Sequence, residues 1–412
     1  MNRFKILSNG FLSGFTYCFI AITLQAVLTD LGYSISFLSS IALVILPYSF
    51  KFLWSGFADK IEKSSIEKLI SFFILIISVN FFFLFLFNNF YNPFFYLMLL
   101  NLAFLGSCFD ILTDANLIKN YSDEIRPNLL TFYIFGWRLA FIFAGGALLY
   151  LFNKLLQSDM EYLFILSGIM FFIFFLGFMK FKISNILSLV KINYQYFFIL
   201  FPLFSLYFIL KTSFTNLKDS FSTLYELKNL YSFSILYKLF DLTFTSLITI
   251  FIIQKFGIKL DAFGTINSIT SLIAILSCGY IWSKLNEKYS NITILIASSL
   301  FKTLTLFLCI YIYHFKYYNF HTLIILFLLN IFSTSLITYS FSNFIMTTVK
   351  GARSSFKYSI LTSLPMLFLL CTVPLSSFLI NHYNWAIFFI FIILLQFLSF
   401  LSLFSIRSKN KF

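Results

Sequence analysis

Trp54-Ser55-Gly56-Phe57-Ala58-Asp59-Lys60 is answered in the second half of the chain by Trp282-Ser283-Lys284-Leu285-Asn286-Glu287-Lys288. In each stretch a long apolar run ends on Trp-Ser, and the chain turns polar through an acid followed by a lysine. Upstream of each lies a glycine connection, Leu31-Gly32-Tyr33-Ser34-Ile35 in the first half and Phe256-Gly257-Ile258-Lys259-Leu260 in the second. The second and third apolar segments of the two halves are therefore joined alike, as in a fold that carries one helical unit twice.

What surrounds these stretches fixes the class. Of 412 residues, 60% are hydrophobic and only 11% charged, with a mean hydropathy of +0.92, where a soluble domain carries about a quarter charged residues. Apolar runs of about 18–25 residues, the length that crosses a hydrocarbon core as helix, recur from end to end. The short alternating segments of a membrane barrel are absent. The net charge of +14 sits in short loops between the runs, where it sets topology and gives no reason to invoke nucleic acid. The 63 Phe are read as compositional bias and not as a binding surface. Cys18, Cys108, Cys278, Cys309 and Cys371 stand singly, without disulfide or metal-ligand spacing, and no cofactor is expected. The basic start, Met1-Asn2-Arg3-Phe4-Lys5, leads into a full-length run and reads as an uncleaved first helix.

The pattern predicts spans at 8–29, 35–57, 67–88, 93–118, 128–152 and 162–181, then at 229–253, 262–283, 290–313, 321–347, 357–381 and 384–406. The expected architecture is an all-α polytopic membrane protein with twelve core helices: a six-helix bundle over 1–181, a linker over 182–228, and a second bundle over 229–412. Arg3, Lys5, Lys60, Lys63, Lys68, Lys119, Arg126, Lys284, Lys288, Arg353 and Lys357 fall on one side of this arrangement, which places both termini in the cytoplasm. The stretch 194–211 is apolar enough to cross. Counting it as a span would invert the second half, so it is read, with the amphipathic 216–227, as lying in or dipping into the cytoplasmic interface, with a thirteenth span as the alternative.

Ionisable groups inside spans are costly, on the order of 2.5–3.5 kcal/mol each on insertion scales, and so mark candidate sites. Asp110 and Asp114 share one face of the fourth span. Asp110 and Arg138 lie at matched depths of roughly 12 and 15 Å on consecutive helices, close enough to pair. Lys238 and Asp241 share a face of the seventh span, while Lys302, in the ninth, has no acid near it in sequence. Lys51 has the length to snorkel to the cytoplasmic side. These groups either neutralise one another structurally or line a central cavity in which Asp110, Asp114 or Asp241 handles protons. Gly145-Gly146 suits close helix packing. Asp59-Lys60 and Glu287-Lys288 are read as latches to neighbouring helices on the cytoplasmic side.

Several of these residues fall into longer patterns: Gly10-Phe11-Leu12-Ser13-Gly14, Thr23-Leu24-Gln25-Ala26, Pro47-Tyr48, Lys51-Phe52-Leu53-Trp54-Ser55, Asp110-Ile111 with Asp114-Ala115, Gly136-Trp137-Arg138-Leu139, and Leu236-Tyr237-Lys238-Leu239 with Asp241. Together they resemble the AmpG-type muropeptide permeases of the major facilitator superfamily. The resemblance implies a major facilitator fold of two pseudo-symmetric six-helix bundles in the bacterial inner membrane. It also implies proton-driven import of anhydro-muropeptides by alternating access, with no enzymatic activity. The expected partners are a small amino-sugar peptide solute, protons and the lipid bilayer; a monomer is expected. Within this reading Arg138, Lys238 and Lys302 hold substrate carboxylates, and Gln25 hydrogen-bonds sugar hydroxyls. The chain departs from the family pattern at Ser268, where a lysine is common, and at Asn330, in a region where a glutamate is usual. A transporter of another solute (a peptide, a siderophore-like or an acyl-CoA-type compound) is the alternative. A membrane-embedded enzyme is disfavoured because the loops are short and carry no catalytic constellation.

Overall fold

The computed structural model describes residues 2–31, 33, 37, 41, 43–87, 90–154, 160–179, 228–257, 260–349 and 353–409. Apart from Lys228, the expected linker at 182–228, with its apolar stretch 194–211, lies outside these residues. Regular structure among the described residues is helical throughout, as a hydrocarbon solvent demands of a chain that must satisfy its backbone within each segment.

The first half contains α1 (Asn2–Cys18), which continues through a π-helical segment (Phe19–Leu24) into α2 (Gln25–Asp30). It then contains α3 (Leu46–Phe50), a 3₁₀ turn (Lys51–Leu53), α4 (Gly56–Asp59), α5 (Lys63–Phe85) and α6 (Pro93–Asn120). Next come α7 (Arg126–Ile142), a second π segment (Phe143–Ala147), α8 (Leu148–Lys154) and α9 (Met160–Met179). The second half contains α10 (Lys228–Phe256), α11 (Leu260–Lys288), α12 (Asn291–Phe315), α13 (Phe320–Thr348), α14 (Ser354–His382) and α15 (Trp385–Lys409). Ten stretches of these helices are long and apolar enough to cross a membrane. Helix starts follow local chemistry. Asn92 Oδ1 accepts from Phe94 N ahead of Pro93 at the first helical position, and Ser290 and Asn319 accept in the same way from Thr293 N and Thr322 N.

The expected second span differs from the prediction. Its described part is broken into α3, the 3₁₀ turn and α4, where the sequence pattern predicted one helix over 35–57. In the second half the corresponding α11 runs unbroken through Trp282 to Lys288.

The described residues form two compact units, one within Met1–Ser220 and Gly351–Ser359, the other within Phe221–Lys350 and Ile360–Phe412. In the first unit α6 packs on α1, α3 and α5, and α5 packs on α9. In the second unit α13 packs on α10, α11 and α12, and α12 packs on α15. The same four pairings thus recur in sequence-equivalent positions. The repeated tryptophans take part in this: Trp54 is buried against Phe104 of α6 and Trp282 is buried against Tyr339 of α13. Phenylalanines fill the interior of the first unit, where Phe15, Phe19, Phe81, Phe164 and Phe171 make ring contacts. Their abundance serves helix packing.

Close helix approach occurs at glycines other than the expected pair. A Cβ on Gly10 would lie 1.9 Å from the Tyr133 carbonyl oxygen, and one on Gly136 would lie 2.0 Å from that of Leu7, so α1 and α7 meet backbone to backbone. Gly145 instead belongs to the second π segment, where a Cβ would meet Ile22 at an ordinary 3.5 Å.

Candidate functional site

Each unit buries one cluster of charged side chains. In the first, the break before α4 gives Lys51 its position: the 3₁₀ turn carries its side chain inward instead of along a continuous helix. Its Nζ lies 2.6 Å from Asp110 Oδ2 and 3.5 Å from Asp114 Oδ2, with all three side chains largely buried. Asp110 Oδ1 also accepts hydrogen bonds from Ser13 Oγ of α1 and Tyr133 Oη of α7, both at 2.7 Å. Asp114, one turn along α6, has Lys51 as its polar contact among the described residues.

The expected Asp110–Arg138 pair is therefore corrected: Asp110 pairs with Lys51, which does not snorkel away. Matched depth on consecutive helices set the expectation, but Tyr133, and not Arg138, is the α7 side chain that meets Asp110. Arg138 is half-buried, with its Cζ 5.6 Å from the Trp137 ring centroid and its Nε buried without a hydrogen-bond partner. It forms no ion pair among the described residues. Tyr17 and Tyr48 extend the aromatic group around Trp137, with ring centroids 6.0 Å (Tyr17–Trp137) and 5.1 Å (Tyr17–Tyr48) apart. Gln25 opens α2, half-buried, immediately after the first π segment. That segment is tied to the second one by Thr23 Oγ1, which donates to the Ala144 carbonyl at 2.8 Å. A π segment leaves a carbonyl without its regular helical donor, and the threonine supplies one.

In the second unit Lys238 and Asp241 meet on α10 at 2.9 Å, as their spacing predicts. The partner that Lys302 lacks in sequence is the same carboxylate, 3.2 Å away. Lys302 Nζ also donates to Asn330 Oδ1 (2.9 Å), Thr334 Oγ1 (2.5 Å) and Thr245 Oγ1 (3.1 Å), and the Phe244 ring lies 5.1 Å from it. Asn330, noted in the sequence only as a departure, thus has a definite contact.

The two repeated loops diverge. The Asp59 carboxylate accepts from the backbone N–H groups of Ser355 (2.8 Å) and Phe356 (2.9 Å), the first turn of α14, a segment that clusters with the first unit. A carboxylate there meets unsatisfied donors and the positive end of the helix dipole. Lys119 Nζ donates to the carbonyls of Ala58, Asp59 and Ile61 at the C-terminal end of α4. Lys60 is exposed. Glu287 contacts Lys284 of its own helix at 3.5 Å with both side chains exposed, and Lys288 is exposed too. Sequence reading missed Ser13, Tyr133 and Lys119 as members of these networks. Only the position of Lys51 inside an apolar run hinted at its role.

Comparison with known proteins gives the same fold and a narrower kinship. The Major Facilitator Superfamily profile matches residues 230–411. A protein named "Putative transporter AmpG 4" from Rickettsia conorii (strain ATCC VR-613 / Malish 7) is 24% identical over 395 residues, 94% of this chain and 92% of that protein. The like-named protein of Rickettsia felis (strain ATCC VR-1525 / URRWXCal2) is 27% identical over 176 residues, 41% of this chain and 42% of its own length. Among solved structures, the proton:xylose symporter XylE bound to 6-bromo-6-deoxy-D-glucose superposes with a TM-score of 0.62 at 12% identity, over 99% of this chain and 94% of its own. The human organic anion transporter MFSD10 gives 0.64 at 13%, over 98% and 99%. FucP in the outward conformation gives 0.64 at 14%, over 100% and 99%. The chain thus has the fold of major facilitator transporters, its residues 230–411 match that superfamily's profile, and over nearly its full length it is similar to an AmpG-named transporter.

Proposed function

We propose that the chain is a proton-driven importer of anhydro-muropeptides or closely related amino-sugar peptides, working by alternating access in the bacterial inner membrane with both termini in the cytoplasm. The observation that supports this most is the surplus carboxylate of the first cluster: Lys51 stands between Asp110 and Asp114, so one proton taken up there would balance the charge. Asp110 is held by three donors and Asp114 by one, which favours Asp114 as the group that exchanges its proton. Asp241, flanked by two lysines, is the further candidate. Arg138, Lys238 and Lys302 supply positive charge for the carboxylates of the solute, and Gln25 is a donor and acceptor for its hydroxyls. Asp59, bonded to the start of α14, is the proposed latch, whereas Lys60, Glu287 and Lys288 are exposed and are proposed as topology-setting charges.

Asn330 and Ser268 favour a second reading, transport of a different acidic solute such as a peptide, a siderophore-like or an acyl-CoA-type compound. Uptake of labelled anhydro-muropeptide by cells lacking their own permease separates the two. Expression of this chain is expected to confer uptake that an uncoupler abolishes. Uptake unaffected by the uncoupler defeats the proton drive, and no uptake defeats the solute.

A further inference from the structure

We propose that the second unit carries a carboxylate-binding subsite at Lys238, and that Lys302 supports it as a positioning residue without touching the ligand. An ammonium group has three N–H donors. Those of Lys302 are fully engaged by Asp241, Asn330, Thr334 and Thr245, and its side chain is completely buried beside the Phe244 ring. Lys238 donates to Asp241 at 2.9 Å and to Thr338 Oγ1 at 3.1 Å, and its side chain keeps 13% exposure. Among the described residues, one Lys238 donor is left for a group from outside the cluster.

Charge points the same way. Two ammonium groups share one carboxylate, and the side chain that could balance Lys302, Asn330, is neutral. A desolvated surplus cation with a free donor is matched by an anion that accepts a charge-assisted hydrogen bond, and a carboxylate fits one free N–H. Asp241 lies 2.9 Å from Lys238 and 3.2 Å from Lys302, so its single charge is shared and the cluster keeps one surplus positive charge, of which Lys238 is the exposed bearer. The ligand class is a solute with a free carboxylate. This deepens the reading above and rests on it for the choice of probe; Lys302 moves from ligand contact to support.

The test compares equilibrium binding of N-acetylmuramic acid with that of its carboxamide to the purified full-length chain in detergent. The wild type is expected to bind the acid about tenfold or more tightly than the amide. Lys302→Met should bring that ratio close to one with little change in affinity for the amide, and Lys302→Arg should retain the preference. Asn330→Asp should collapse the ratio with Lys302 in place, by supplying the missing negative charge, and it decides the matter if Lys302→Met does not accumulate. An unchanged preference in Asn330→Asp, equal binding of acid and amide by the wild type, or binding of neither, overturns the proposal. Acid preference without muropeptide uptake would remove the proposed solute and leave the subsite standing; uptake without acid preference would do the reverse.

Discussion

The first unit buries two carboxylates around one ammonium, and the second buries two ammonium groups around one carboxylate. The two clusters stand on sequence-equivalent helices only in part. Asp110 and Asp114 belong to the fourth helix of their half, whereas Lys238 and Asp241 belong to the first of theirs. Duplication has therefore repeated the helices and their packing while each half acquired charges of opposite surplus. A cluster with spare negative charge is suited to taking up a cation as small as a proton. One with spare positive charge is suited to an anionic solute. Both surpluses are possible because neutral donors and acceptors share the load: Ser13 and Tyr133 on one side, Thr245, Asn330 and Thr334 on the other.

Removing the central charge of a cluster should break this arrangement most severely. Lys51→Met leaves two buried carboxylates facing each other and is expected to cost about 3–5 kcal/mol, the range for stranding a buried charge. Membrane-inserted protein and thermal stability in detergent should both fall steeply, and Lys51→Met with Asp110→Asn should recover part of the loss. Lys302→Met should cost visibly less, because a balanced Lys238–Asp241 pair remains. Equal losses for the two lysines would contradict the charge assignment.

The next effect is on coupling and not on folding. Asp114→Asn leaves the Lys51–Asp110 pair intact and balanced, so the protein should reach the membrane at normal levels. Solute uptake should then lose its dependence on external pH and its sensitivity to an uncoupler. A pH profile like that of the wild type would assign the proton elsewhere.

The smallest effects separate the two repeated loops. Asp59→Asn removes the negative charge from the first turn of α14 but keeps an acceptor, and should lower stability by about 0.3–1 kcal/mol, more at low salt. Glu287→Gln should leave thermal stability unchanged, since an exposed pair on one helix contributes little. A larger loss at Glu287 than at Asp59 would reverse the comparison.

Much of the helical plan was legible in advance. Expected spans such as 93–118, 290–313 and 321–347 agree with α6, α12 and α13 to within a few residues. Side-chain pairing within one helix was legible as well, as for Lys238 and Asp241. Pairing between helices was not. A lysine near a span end has room to reach the interface; Pro47, in the first turn of α3, is the local sign that the expected helix is interrupted there, but it does not tell which way Lys51 then points. Arg138 and Asp110 share a depth, yet depth fixes only one of the coordinates that decide whether two side chains meet.

By itself the sequence determined that the chain is a multi-pass helical membrane protein and where most of its long helices begin and end. These follow from hydrocarbon thickness and from the backbone's need to bond within each segment, both of which act locally along the chain. Tertiary structure alone decided which charges on different helices neutralise one another. The partners of Asp110 lie on α1, α7 and the broken segment around Lys51, and those of Lys302 lie on α10 and α13. Such contacts depend on how each helix is rotated about its axis and which neighbour it packs against, and that is settled by the fit of whole helix surfaces rather than by residues adjacent in sequence.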